Sequence, residues 1–80
     1  MRYRLDLILR PAEGALLRVI GTAERRGYTP LAVEGRQQQD AQEWHLMLLV
    51  EGERGADSLR KQMEKLYDCL AVEIREEAIA

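Results

Sequence analysis

The chain has 80 residues, of which 46% are apolar and 32% are charged, and these values predict one small folded domain. Its 12 Lys and Arg residues and 14 Asp and Glu residues leave a net charge of −2, which argues against a nucleic-acid binder, because that class needs a basic face. The single Cys69 excludes an intrachain disulfide, and the single His45 excludes a metal site built from several histidines of one chain.

The sequence shows no targeting or membrane segment. Charges interrupt the apolar residues at the N terminus, which argues against a signal peptide. The longest apolar run, 46–50, is far shorter than the ~20 residues of a membrane helix. We therefore expect a cytoplasmic protein.

The first predicted element is a half-buried strand. Residues 3–9 alternate strictly, with Tyr3 and three leucines on one face and Arg4, Asp6 and Ile8 on the other. Pro11 ends this strand, because proline has no N–H to donate to a neighbouring strand.

The segment 13–28, EGALLRVIGTAERRGY, predicts an amphipathic helix that Gly27 ends. Its apolar stripe consists of Leu16, Val19, Ile20 and Ala23, whereas Arg18, Thr22 and Arg25 are expected to face water. Gly14 gives the helix a flexible start, and the unpaired N–H groups of its first turn could hold a small anion or an amino acid.

The middle of the chain predicts two further strands. Thr29-Pro30 favours extended backbone, and 31–33 follows as a short strand. The polar segment 35–42 is expected to be a loop or the frayed tip of a hairpin. Residues 44–50 alternate but are apolar on both faces, which is typical of a central strand.

The C-terminal part predicts a helix and a last strand. A turn at 51–55 precedes a helix with Asp57 as its N-cap and an exposed pair between Arg60 and Glu64. Alternating residues 70–75 predict the last strand, and 76–80 are expected to be a frayed tail.

The element order is therefore βαββαβ, which predicts a ferredoxin-like α+β sandwich, a single domain over residues 1–75. Four antiparallel strands would form the sheet, with the first and third strands central and two helices on one face. The predicted core consists of Leu5, Leu7, Leu9, Leu16, Ile20, Ala23, Leu46, Leu48, Val50, Leu59, Met63, Leu66 and Val72.

The sheet face without helices would carry Ile8, Met47, Leu49 and His45. An apolar cluster on such a face usually needs a cover. No carboxylate or nucleophile is placed near His45, so it is interpreted as a surface or interface histidine rather than a catalytic one. Cys69 belongs to no paired motif and is interpreted as a small buried hydrophobic residue.

Two segments resemble a known family. EGALLRVIGTAERRGY (13–28) resembles the first helix of an ACT domain, a small ligand-binding regulatory module, in the version found in small subunits of acetolactate (acetohydroxyacid) synthase. QMEKLYDCLAVEI (62–74) resembles the segment from the second helix to the last strand of that family. With the strand at 3–9, the resemblance spans nearly the whole chain, and its length corresponds to the short small subunit with one ACT module.

The resemblance implies a non-catalytic regulatory subunit that forms a homodimer through the edges of its sheets. The partner would be the large catalytic subunit, a thiamine-diphosphate enzyme that condenses pyruvate with a second 2-oxo acid on the branched-chain amino-acid pathway. Thiamine diphosphate, Mg²⁺ and any FAD would belong to that partner. This chain itself is expected to hold no cofactor and no metal.

The resemblance also implies an effector site for a branched-chain amino acid at the dimer interface. It would lie between the loop that precedes the first helix and the start of the neighbour's second strand. The implied residues here are Pro11, Ala12, Glu13, Gly14, Ala15, Thr29 and Pro30.

The implied site departs from that of the valine-sensitive family members at two places. Pro11 stands where they carry an asparagine, and it has neither a side-chain donor or acceptor nor an N–H. Thr29-Pro30 stands where they carry Asn-Ile, and Pro30 removes one backbone donor. We therefore expect weak or absent valine feedback and a role in activating or stabilising the catalytic subunit.

Two questions of assignment stay open at this level. Ile8, Met47 and Leu49 favour contact with the catalytic subunit, with self-association as the alternative. A free-standing ACT sensor that acts on another enzyme or a transporter is the second functional hypothesis. An acylphosphatase-like hydrolase on the same fold is set aside, because it needs an asparagine to position water and this chain has none.

Overall fold

The six predicted elements form in the predicted order, βαββαβ. A computed structural model describes residues 1–38 and 42–77. The elements are β1 (Arg2–Leu9), α1 (Ala15–Arg25), β2 (Thr29–Gln38), β3 (Glu43–Glu51), α2 (Ala56–Glu64) and β4 (Cys69–Glu77). Within the described residues, no helix has the length and apolar character needed to span a membrane.

The four strands form one antiparallel sheet in the order β2-β3-β1-β4, so β1 and β3 are central, as predicted. Buried and half-buried residues alternate along both central strands. The buried set of β1 and β3 shares one core with Val19 of α1 and with Leu59 and Met63 of α2. Both helices therefore cover the same face of the sheet, which confirms the ferredoxin-like fold.

Helix α1 is rotated relative to the predicted stripe. Leu16 was expected in the core but is 39% exposed, and Thr22 was expected in water but is only 6% exposed. The buried stripe instead runs through Ala15, Val19 and Ala23, which lie four residues apart. Burial of Thr22 leaves no unpaired hydroxyl, because its Oγ1 donates to the Arg18 carbonyl oxygen at 2.7 Å.

Strand β2 is longer than predicted. Of the two alternatives for 35–42, the loop is wrong for the first four residues, which belong to the β2–β3 hairpin, since β2 pairs with β3 as far as Gln38. Gly35 lies opposite Leu46, and Gln37 lies opposite Trp44. Polar residues can continue an edge strand because the partner strand needs only their backbone. The rest of the predicted loop, 39–41, lies outside the described residues.

The start of α2 also differs from the prediction. The helix begins at Ala56 with Gly55 as N-cap, and Asp57 lies in the first turn instead of capping it. Arg60 pairs with Asp57 at 3.5 Å rather than with Glu64. Both pairings are short-range and exposed, so local rotamers decide between them.

In β4, an irregularity in pairing opposite Ile8 and Leu9 changes which residues face the core. Leu70 was expected to share a face with Val72 and Ile74, but it is 41% exposed. Cys69, Val72 and Ile74 are partly buried against the core instead. The strand continues to Glu77, so the predicted tail begins inside it, and 78–80 lie outside the described residues.

Tyr28 is a core residue that is absent from the predicted core set. It is among the largest fully buried side chains, and its ring meets that of Tyr3 edge to face at 6.4 Å. Its hydroxyl donates to the Gly55 carbonyl oxygen at 2.9 Å, and burial raises its pKa. Tyr28 thus ties the end of α1 to the start of α2.

Candidate functional site

The loop between β1 and α1 is held by backbone hydrogen bonds. The Arg10 N–H donates to the Asp68 carbonyl oxygen at 2.8 Å, and the Ala12 N–H donates to the Arg10 carbonyl oxygen at 2.8 Å. The Ala15 N–H donates back to the Ala12 carbonyl oxygen at 3.1 Å. Gly14, the N-cap, has φ 78°, which glycine adopts without the strain of a side chain. The chain therefore turns sharply from β1 into α1.

Arg18 fastens this loop to the rest of the domain. Its guanidinium donates to both carboxylate oxygens of Asp68, at 2.6 and 2.9 Å, and to the Glu13 carbonyl oxygen at 2.6 Å. Asp68 is 3% exposed, and the hydrogen bonds from Arg18 hold its pKa below the ordinary value despite burial. The expectation that Arg18 is merely solvated is therefore wrong. Its head bridges the loop, α1 and the start of β4.

The Arg10 side chain, beside the loop, also has partners within the chain. Its Nε donates to the Tyr67 carbonyl oxygen at 2.9 Å, and its Cζ lies 4.6 Å from the centre of the Tyr67 ring. The second contact is a cation–π interaction at an exposed ring, worth about 0.5–1 kcal/mol. Both arginines near the loop thus have partners within the chain.

A cavity of about 470 Å³ lies between this loop and the sheet. Its wall from the loop is made by residues 10–15, and its wall from β2 and β3 is made by Val33, Gly35, Trp44 and Leu46. Most of these groups are apolar side chains or backbone. The cavity suits an apolar group presented beside the N-terminus of α1.

The predicted effector residues divide into two groups in the structure. Pro11 to Ala15 all line the cavity, and their role in effector binding stays a prediction. Thr29 pairs with Glu51, at the opposite end of β3 from Trp44. Seven residues of strand separate these ends by about 23 Å. One chain therefore does not unite the two groups, and their meeting across a dimer stays a prediction.

Val33, Gly35 and Trp44 line the cavity but were not predicted as site residues. Gly35 was expected in a loop or a hairpin tip, and Trp44 was expected only as a residue of the third strand. The available signal was the two-residue spacing of Trp44, Leu46 and Leu48, which places all three on the helix-covered face. Trp44 pairs with Leu9, next to the loop at Pro11, and this pairing brings it into the cavity.

The remaining candidate residues show no catalytic arrangement. Burial raises the pKa of the Cys69 thiol, whose Sγ contacts the Ala71 carbonyl oxygen at 3.5 Å, so the less reactive thiol form is favoured. His45 is half-buried on the sheet face opposite the helices, between Ile8 and Arg36. Across residues 1–38 and 42–77, no group of three or more His, Cys, Asp or Glu side chains could hold a metal ion.

A family model for the ACT domain matches residues 11–72, which include the loop from Pro11 onward, both helices, β2 and β3. The chain belongs to the ACT domain family. ACT domains are regulatory modules, and the loop that enters α1 in this ACT domain forms a wall of the cavity described above.

Solved structures share the fold of this ACT domain at low sequence identity. The acetolactate synthase small subunit from Thermotoga maritima superposes with a TM-score of 0.80 at 17% identity, over 92% of this chain and 47% of that one. Formyltetrahydrofolate deformylase from Burkholderia mallei gives 0.74 at 15% identity, over 95% of this chain and 28% of that one. The ACT domain from GTP pyrophosphokinase of Chlorobium tepidum gives 0.68 at 13% identity, over 94% and 97%.

These likenesses establish the fold alone. This ACT domain spans about half the length of the Thermotoga maritima small subunit. A comparison with curated proteins found no match.

Proposed function

We propose that this ACT domain is a non-catalytic regulatory subunit of acetolactate synthase in branched-chain amino-acid biosynthesis. It would activate or stabilise the thiamine-diphosphate-dependent large subunit in the cytoplasm, with weak or absent feedback by valine. The observation that carries the proposal is the apolar cavity beside Gly14, at the N-terminus of α1 and next to the edge strand β2.

The position of the cavity supports a site shared by two copies. β2 is an edge strand, and its apolar residues Leu31 and Val33 are exposed. An edge strand presents backbone groups that can pair with a second strand. Antiparallel pairing of two β2 strands would set the start of one beside the end of the other. The neighbour's Thr29 would then approach the cavity, as the sequence resemblance implied.

The charges around the cavity support weak binding of valine. A free amino acid carries an ammonium and a carboxylate, and both lose water on entering such a site. This loss costs free energy unless each charge is paired within the site. Arg10 and Arg18 already have partners in Tyr67, Asp68 and Glu13. Pro11 offers no donor to a carboxylate. The cavity can thus accept the side chain of valine more readily than its charged end.

Reconstitution with a purified large subunit tests the proposal. Acetolactate formation is assayed with and without the chain, and each mixture is assayed with and without valine. We expect stimulation that valine does not alter. Stimulation that low valine concentrations abolish would refute the weak feedback and retain the regulatory role.

The failure of any complex or stimulation would refute the role in acetolactate synthase. It would favour a free-standing ACT sensor acting on another enzyme or a transporter. The structural similarity to the deformylase and to the pyrophosphokinase domain, at TM-scores of 0.74 and 0.68, is the reason to test this second function. Calorimetric titration of the chain alone with branched-chain amino acids separates the two, because the sensor requires binding in the absence of any large subunit.

A further inference from the structure

The sheet face opposite the helices carries two neighbouring rows of opposite charge. Strand pairing aligns the first row across the sheet as Glu34, Met47, Asp6 and Glu73. It aligns the next row as Ala32, Leu49, Arg4 and Arg75. We call these eight residues the open face. One row is thus acidic and the other basic, and each has an apolar residue of β3 at the same place.

The charged groups at the centre of the open face already lie within reach of one another. Arg4 Nε is 3.3 Å from Asp6 Oδ2, and both side chains remain partly exposed. Met47 and Leu49 are half-buried beside them. A depression of about 450 Å³ surrounds Met47 on this surface, with Asp6 and Glu73 among its lining residues.

We infer that two copies of this chain pack open face to open face. The twofold axis would lie in the interface, run across the strands, and pass between the acidic and basic rows. Such an axis keeps each strand over its own counterpart and exchanges the two rows. The acidic row of each copy therefore lies against the basic row of the other.

The resulting contacts are complementary at β1, β3 and β4, whereas at β2 Glu34 faces the second copy's Ala32. Asp6 faces the second copy's Arg4, and the twofold axis repeats this contact with the copies exchanged. Glu73 faces the second copy's Arg75 in the same way. Met47 faces the second copy's Leu49, which would fill the depression around Met47. Complementary charges around an apolar centre are the features that fix the orientation of an interface.

The alternative twofold orientation is unfavourable. An axis parallel to the strands would lay each row against itself. Glu34 would then face the second copy's Glu73, and like charges directly opposite each other repel. The charge pattern thus selects one arrangement of the two copies.

The size of the surface predicts a modest, concentration-dependent association. The open face lies at the centre of the helix-free side of the sheet, whose four strands, about 4.8 Å apart and about eight residues long, present roughly 500 Å² per copy. The two copies together would bury on the order of 1,000 Å², near the lower limit for a specific interface. Packed sheets rotate by about 30°, but Arg4, Asp6, Met47 and Leu49 lie on the two central strands, where this rotation displaces them least, and keep their contacts.

This inference is independent of the proposed function. The cavity beside Gly14 lies on the helix side, whereas the open face is on the other side of the sheet. Pairing through β2 and packing through the open face use separate surfaces, so together they would join four copies.

Sedimentation velocity of the purified chain, over a range of concentrations, tests this inference with a charge-exchange series. The series compares the native chain with R4D and with the double variant R4D/D6R. R4D places a second carboxylate opposite Asp6 in both symmetric contacts, so the association constant should fall by about tenfold or more. R4D/D6R restores an acid opposite a base and should recover most of that loss. K61D makes the same charge change at an exposed residue of α2, away from the open face, and should leave association unchanged.

Three results would overturn the inference. The first is native association that R4D does not weaken. The second is a fall in the association constant that R4D/D6R fails to recover. Exchange of both charges keeps the two surfaces complementary only if each surface belongs to a copy of the same chain. The third is a defect confined to binding of a large catalytic subunit, which would assign the face to that partner. Circular dichroism of each variant confirms that the chains compared are folded.

Discussion

Arg18 and Asp68 form a two-pronged ion pair, with N–O distances of 2.6 and 2.9 Å, that joins α1 to the residue immediately before β4. The two residues are unequal in their exposure, because the Asp68 side chain is buried and the Arg18 side chain is half-exposed. This asymmetry decides how the pair should respond to substitution.

Arg18→Ala should destabilise the domain more than Asp68→Ala. The first change leaves a buried carboxylate without its cation and should cost about 2–3 kcal/mol. The second leaves a guanidinium that water can reach and should cost about 1 kcal/mol. Urea unfolding of both variants measures the difference. Equal costs, or the reverse order, would contradict the burial argument.

The same pair predicts the acid side of the stability profile. Arg18 lowers the pKa of Asp68 in the folded chain, so this carboxylate contributes stability above its unfolded pKa of about 3.9. That contribution should be complete at pH 6 and should be lost as the pH falls below about 4, through the lowered folded pKa. Thermal unfolding across this range should show a shallower acid decline for Asp68→Ala than for the native chain.

Gly52→Ala should destabilise the domain by about 1–3 kcal/mol through overpacking. A Cβ at this position would lie 2.7 Å from Cδ1 of Tyr28. The Tyr28 ring cannot move aside easily, because it is buried and its hydroxyl is bonded to the Gly55 carbonyl oxygen. Gly55→Ala is the matched control, since a Cβ there meets nothing within 4 Å. Chemical denaturation should separate the two variants clearly, with the control within about 1 kcal/mol of the native chain.

Gly35→Val should fill the cavity without unfolding the domain. A Cβ at this position would lie 3.8 Å from Cδ1 of Leu46, which is an ordinary contact, and valine suits a strand. In the reconstituted synthase, this variant should retain stimulation and lose any residual response to branched-chain amino acids. If the native chain responds to a branched-chain amino acid and this variant keeps the whole response, the effector binds elsewhere.

The sheet could be predicted because the alternation that marks each strand is a local pattern in the sequence. Alternation in β1 and β3 assigns each residue to a face through the two-residue period of a strand, and the order of elements then leaves few topologies. The helix-covered core was therefore largely correct. The loop residues from Pro11 to Ala15 line a cavity, and the effector role that the family resemblance gives them stays a prediction.

The errors occur where distant segments compete for one position. Thr22 and Leu16 exchanged their expected environments because the sheet determines which stripe of α1 is covered. Leu70 faces outward because β4 pairs irregularly with β1. β2 extends to Gln38 because β3 supplies a backbone partner, whatever the side chains of β2 are.

By itself, the sequence determined the order and type of the elements, the central strands and the loop that precedes α1, because each depends on short-range periodicity or on a local turn. Only the tertiary structure decided the rotation of α1, the far wall of the cavity at Val33 and Trp44, and the pairing of Arg18 with Asp68 across 50 residues. Those features arise where side chains from separate segments compete for the same space and the same charges, and such competition leaves no local pattern in the chain.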